Sequence, residues 1–67
     1  MKLKLITPLG TFTTKEAVTT TEECEGLKTL AEVIASGRLR TFQLSCEEGL
    51  INLPEKVLEQ TIAVVID

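Results

Sequence analysis

Five aliphatic residues follow one another from Ile62 to Ile66, between Thr61 and Asp67. A strand with one solvated face alternates apolar and polar residues, whereas this run is apolar at both parities. Such a run is typical of a strand that protein covers on both faces. The pattern therefore predicts that residues 61–67 form the central strand of a sheet.

The first residues of the chain alternate lysine with leucine, which predicts a strand over residues 2–7 with one buried face. Residues 7–10, Thr-Pro-Leu-Gly, have proline and glycine where a tight hairpin turn favours them. Residues 11–19 are rich in β-branched types and predict an antiparallel return strand. A bulge near Lys15 would bring the apolar residues of that strand into phase.

A helix is predicted after the three consecutive threonines. Thr20 and Glu23 have the spacing of a capping box, and the glutamates that follow suit the positive end of a helix dipole. Within the predicted helix, apolar residues recur at spacings of three and four and form one stripe, which comprises Cys24, Leu27, Leu30, Ala31 and Ile34. Gly37 is a suitable residue just beyond the helix end.

Residues 40–53 predict a second hairpin. Alternation over residues 40–46 indicates a strand, Glu47 to Gly49 a turn, and residues 50–53 a short further strand. Pro54 ends that strand and suits the first position of a short helical turn over residues 54–59.

Together these elements predict one α+β domain over residues 1–67, with a small mixed sheet of four to five strands and one α-helix packed on one face, in ββαββ order. This order resembles the β-grasp, or ubiquitin-like, arrangement. The resemblance implies that the last strand runs parallel to the first, in the middle of the sheet. The ubiquitin-like modifiers and sulfur carriers end in a Gly-Gly tail, whereas residues 64–67 read Val-Val-Ile-Asp, so conjugation and sulfur transfer are not expected.

The composition argues against catalysis and against a metal or another cofactor. The chain has no His, Tyr or Trp, so the usual proton-transfer group near neutral pH is missing. Cys24 and Cys46 are too few and too far apart for a zinc site, and adjacent glutamates disfavour their thiolates. We expect two reduced, buried thiols. A thiol-dependent enzyme is the alternative that they leave open.

Charge and hydropathy bear on location and on nucleic acid. No apolar run is long enough for a membrane span or a signal peptide, which predicts a cytoplasmic protein without a membrane partner. The net charge of −3 disfavours nucleic acid. The alternative function, weak nucleic-acid binding, would use a small basic patch of Lys2, Lys4, Arg38 and Arg40.

The sheet face opposite the helix is the remaining candidate. One helix covers one face, so an apolar stripe bordered by threonine and lysine is expected on the other. Such a stripe favours a protein interface, made with a second copy or a larger partner through this face or an edge strand. No small-molecule substrate is predicted. The predicted interface residues are Lys4, Ile6, Thr11, Thr13, Ala63 and Val65, with the opposite-parity neighbours of the last two as alternatives.

Overall fold

The computed structural model describes residues 1–67 and contains five strands, one long helix and one short helix. This content confirms the α+β class. The strands form two antiparallel sheets, not one mixed sheet: a three-stranded sheet in the order β2-β1-β5 and a two-stranded sheet of β3 and β4. In chain order the elements are β1 (Lys2–Thr7), β2 (Gly10–Thr13), α1 (Thr21–Ala35), β3 (Thr41–Cys46), β4 (Gly49–Pro54), α2 (Glu55–Leu58) and β5 (Ile62–Ile66).

The β1–β2 hairpin closes at the predicted turn, where Thr7 pairs with Gly10. The Thr7 hydroxyl stabilises the turn, because it donates to the Gly10 carbonyl oxygen at 2.7 Å and accepts from the Leu9 N–H at 3.1 Å. The return strand is shorter than predicted and ends at Thr13. Beyond it, Thr14 bridges Cys46, and the Lys15 N–H donates to the Ser45 carbonyl at 3.3 Å.

The early end of β2 takes the place of the bulge expected near Lys15. Thr14 stays hydrogen-bonded to Leu3 of β1 and also bridges Cys46, and the Lys15 N–H donates to Ser45, so residues 14 and 15 connect the two sheets. The predicted continuation of the strand to residue 19 is wrong, because β2 ends at Thr13, although Val18 exchanges two backbone hydrogen bonds with Met1.

The predicted helix cap is confirmed at the start of α1. The Glu23 N–H donates to Thr20 Oγ1 at 3.2 Å, and the Thr20 hydroxyl donates to Glu23 Oε1 at 2.8 Å. At the other end of α1, Ser36 is the C-cap residue. Gly37 follows with a φ of +73°, a conformation that glycine adopts without strain.

The prediction that β5 is a central strand parallel to β1 is wrong. Strand β5 pairs with β1 in the antiparallel direction, with Lys2 opposite Ile66 and Ile6 opposite Ile62, and it lies at the edge of the three-stranded sheet. A strand that is apolar at both its odd and its even positions can be covered on both faces or have one face exposed, so this pattern does not distinguish the two cases. The β-grasp-like topology is therefore not confirmed.

The core lies between the two sheets and the helices. Leu3 and Leu5 of β1 are completely buried, and they pack with residues from α1, β4 and α2. The pleat of β1 thus gives the three-stranded sheet an inner face, which carries Leu3 and Leu5, and an outer face on the other side. The buried cluster comprises Leu3, Leu5, Ile34, Leu53 and Leu58.

Candidate protein interface

The outer face of the three-stranded sheet brings four of the predicted interface residues together. Residues directly opposite each other on neighbouring strands share a face. Lys4 lies opposite Thr13, and Ile6 lies opposite Thr11, so all four side chains belong to this face. Ile6 is exposed although it is a large aliphatic residue.

The structure places the other two predicted residues, Ala63 and Val65, on the inner face. Val65 lies opposite Leu3 and Ala63 opposite Leu5, and both pack against the buried cluster. The outer face carries their opposite-parity neighbours Ile62, Val64 and Ile66 instead, and we call these three residues the outer row.

Nothing in the sequence decides whether the odd-numbered or the even-numbered residues of β5 face outward. Both sets of side chains are aliphatic, and a shift of the pairing register by one residue would exchange them. Only the register with β1, which sets Lys4 opposite Val64, identifies the outer row.

The outer row is unevenly exposed. Ile62 is 61% exposed and lies beside Ile6, so two large aliphatic side chains meet at the surface. Val64 and Ile66 are half-buried and lie opposite Lys4 and Lys2. The methylene groups of lysine side chains cover neighbouring apolar surface while the charge stays in water. The result is an aliphatic strip along β5, lined on one side by lysine.

The backbone of β5 offers a second binding feature at its free edge. The Thr14 N–H donates to the Leu3 carbonyl at 3.0 Å, and the Leu3 N–H donates to Thr14 Oγ1 at 3.1 Å, so the Leu3 backbone groups point away from β5. Backbone groups alternate in direction along a strand. The β1 residues that bond to β5 are therefore Lys2, Lys4 and Ile6.

It follows that the partners of these residues, the outer row, use their N–H and C=O groups in the β1–β5 ladder. Ala63 and Val65 lie between them and direct their N–H and C=O groups outward. No hydrogen bond of the turns, loops or caps involves these outward groups. We call the backbone groups of Ala63 and Val65 the β5 edge; sequence reasoning missed it because it assigned β5 to the sheet centre.

The basic residues of the alternative function are only partly free. Lys2 Nζ lies 3.6 Å from Glu47 Oε1, an ion pair between β1 and the β3–β4 turn. Lys4 forms no ion pair. Arg38 and Arg40 are exposed in the connection between α1 and β3.

Both cysteines are free thiols in protected surroundings. Cys46 is buried, and this burial, with the Glu48 carboxylate as a second cause, raises the pKa of its thiol. The half-buried Cys24 thiol donates to the Val18 carbonyl at 3.8 Å. A raised pKa decreases the thiolate fraction at neutral pH, so the Cys46 environment is unsuited to a nucleophile.

The structure has one surface depression. An open depression of about 450 Å³ lies where the two sheets meet, and it has mainly polar walls. No group of three or more acidic or thiol side chains is close enough together to hold a metal ion. None of the helices is long and apolar enough to cross a bilayer. The depression is lined by Thr14, Lys15, Glu16, Leu44 and Ser45.

Comparison with known proteins gives no match: no protein family, no characterised protein and no solved structure matches this chain. Function is therefore inferred from the surface of the molecule itself. The outer row and the β5 edge are two unpartnered features of a kind that protein recognition commonly uses.

Proposed function

We propose that this chain is a small non-catalytic protein-interaction module that accepts an extended strand of a partner at the β5 edge. The observation that carries the proposal is the set of outward N–H and C=O groups of Ala63 and Val65, which have no partner in the chain. Added strands gain affinity from main-chain hydrogen bonds and specificity from alternate side chains.

The composition of β5 supports this proposal. An exposed sheet edge invites pairing with other chains, and proteins usually protect it with charged residues, proline, bulges or a covering segment. Strand β5 contains no charge, no proline and no glycine, and four of its five residues are isoleucine or valine. These are residues that favour the extended conformation. The edge thus has the features of a strand-binding site and none of the usual sequence protections.

The outer face supplies the side-chain part of the proposed contact. A strand added beside β5 has every second side chain next to the outer row. Ile6 extends this apolar surface toward β1, and Lys4, Thr11 and Thr13 border it with polar groups. An apolar centre with a polar rim is typical of protein interfaces.

The proposal is tested with a blocked peptide of residues 61–67, with added terminal lysines for solubility, titrated into the ¹⁵N-labelled chain. We expect chemical-shift changes at the amides of Ala63 and Val65 and at neighbouring β5 positions. The control peptide is N-methylated at its alanine and second valine, which removes the N–H groups that face the edge. Equal binding of the two peptides, or no shifts at millimolar peptide, would contradict the proposal.

A matched pair of variants locates the site. Ala63→Pro removes an outward N–H of β5, and Asn52→Pro removes one from β4, an edge strand of the other sheet. Ala63→Pro should weaken peptide binding by about tenfold or more, because a donor is lost and the ring obstructs pairing. Asn52→Pro should leave the affinity unchanged. The reverse result would assign the site to β4.

The nucleic-acid alternative remains a prediction and is tested by a salt titration of DNA and RNA binding. The ion pair of Lys2 with Glu47 and the net charge of −3 weaken the basic patch. We expect no binding even at low salt. A cytoplasmic location is also part of the proposal.

A further inference from the structure

We infer that the strand accepted at the β5 edge is β5 of a second copy, so that two chains form a symmetric dimer with a continuous six-stranded sheet. This inference rests on the proposed function and names its partner. The two copies of β5 run antiparallel, and the two-fold axis passes between Val64 and the partner's Val64.

The spacing of the outward backbone groups is the first reason. Ala63 and Val65 lie on either side of Val64, so an antiparallel copy centred on Val64 sets Ala63 opposite the partner's Val65. Residues opposite each other in this way exchange both of their N–H···O bonds, and the symmetry repeats the exchange. The pairing therefore forms about four hydrogen bonds and leaves none of these outward groups unpartnered.

The side chains of β5 are the second reason, because the outer row reads the same in both directions. Centred on Val64, the pairing sets Ile62 opposite the partner's Ile66 and Val64 opposite its own copy. Cross-strand pairs of β-branched residues stabilise a sheet. On the inner face each small Ala63 lies opposite a larger valine, so the pairing matches small side chains with large ones on that face.

On the outer face of the sheet, no close like charges oppose the pairing. Strand β5 carries no charge, so no like charges become direct neighbours across the axis. The nearest lysines of the two copies are Lys4 and the partner's Lys4, which lie three strand spacings apart, or about 14 Å. That separation exceeds the screening length of about 8 Å at physiological salt.

The pairing ends at two copies. A symmetric contact uses the same edge of both molecules, so neither β5 edge remains available for a third chain. The outward edge of β4 ends at Pro54, which has no N–H to donate. The contact is short, so we expect a weak, reversible dimer that forms at high chain concentration.

A cysteine at the symmetry axis tests this geometry directly. Val64 and the partner's Val64 form a pair without direct hydrogen bonds, in which Cα atoms lie about 4.5 Å apart, within the range that a disulfide spans. Val64→Cys should therefore form a disulfide-linked dimer on mild oxidation. Thr13→Cys, on the same face but on β2, should stay mainly monomeric, and the unmodified chain measures any reaction of Cys24 and Cys46.

Sedimentation equilibrium separates this inference from the proposed function and does not depend on Val64→Cys. The wild-type chain should show a monomer–dimer equilibrium, and Ala63→Pro should weaken it by about tenfold or more while the circular dichroism spectrum stays folded. A wild-type chain that stays monomeric at millimolar concentration overturns the inference. If that monomer still binds the strand peptide at β5, the proposed function stands; if it does not, both fall.

Discussion

Two edge strands of this protein, β5 and β4, differ in how their outward edges are protected. On β4 the outward groups belong to Leu50, Asn52 and Pro54, because the opposite β3 residue Ser45 directs its carbonyl to Lys15 and away from β4. Proline supplies no N–H there, and asparagine is a poor strand former. On β5 both outward residues have complete backbone groups and aliphatic neighbours.

Exposure of a sheet edge therefore does not by itself distinguish an edge that favours strand pairing from one that discourages it. Both edges lack a partner strand, yet β4 has features that discourage pairing and β5 has features that favour it. The outer faces of the two sheets differ in the same way as their edges. Exposed Leu50 is the one large aliphatic residue facing outward from the β3–β4 sheet, whereas the outer row continues along all of β5.

The largest expected effect tests whether the two sheets share one hydrophobic core. Leu5 of the three-stranded sheet and Leu53 of β4 are both buried in the same cluster. Leu5→Ala and Leu53→Ala should each lower the free energy of unfolding by about 2–5 kcal/mol. Urea denaturation measures both values. Two separate transitions, or a loss at one site alone, would mean that the two sheets fold independently.

The next effect tests the backbone assignment of β5. Val64→Pro removes an N–H from the β1–β5 ladder and should destabilise the chain by about 3 kcal/mol or more, since the ring also disturbs the pairing. Ala63→Pro removes only an outward N–H and should have a clearly smaller effect. Thermal unfolding compares the two variants. Equal destabilisation would mean that Ala63 bonds to β1, which would remove the β5 edge.

A smaller effect is expected when the β4 edge is made to resemble β5. Replacing Asn52 and Pro54 together by valine restores the missing N–H and adds β-branched side chains. Monomer stability should change by about 1 kcal/mol or less, since both residues are exposed at an edge. Sedimentation velocity should detect species larger than a dimer. Association no stronger than wild type would show that Asn52 and Pro54 do not protect this edge.

The smallest effect concerns Cys46, which lies where the two sheets meet. Its pKa is raised above the ordinary value of 9.0, so the folded chain holds the thiol proton more tightly than the unfolded chain. The contribution of Cys46 to stability should therefore be fully present below pH 9 and be lost as the pH rises through the higher native pKa. Cys46→Ala should reduce this alkaline loss. If Cys46→Ala left the pH dependence of unfolding unchanged, the raised pKa of the Cys46 thiol would be contradicted.

Local signals in the sequence predicted the elements better than their arrangement. Thr20, Glu23 and Gly37 act within a few residues of their own position, so the helix ends followed from the sequence. The direction of β5 depends on partners about 60 residues away, and its aliphatic run fits either face and either direction. The β5 edge stayed hidden for the same reason, because it exists only once β1 has been assigned as the neighbour.

The pairing of β1 with β5 also sets the order in which this protein can fold. It joins Lys2 to Ile66, so nearly the whole sequence forms the intervening loop. Contacts of such high contact order arise late, because the entropy of closing the loop must be overcome first. During synthesis the β1–β2 hairpin and α1 emerge first, while the side of β1 that will receive β5 stays open. Only β5, about 60 residues later in the chain, closes that side, and β1 is exposed to wrong pairing until β5 has been made.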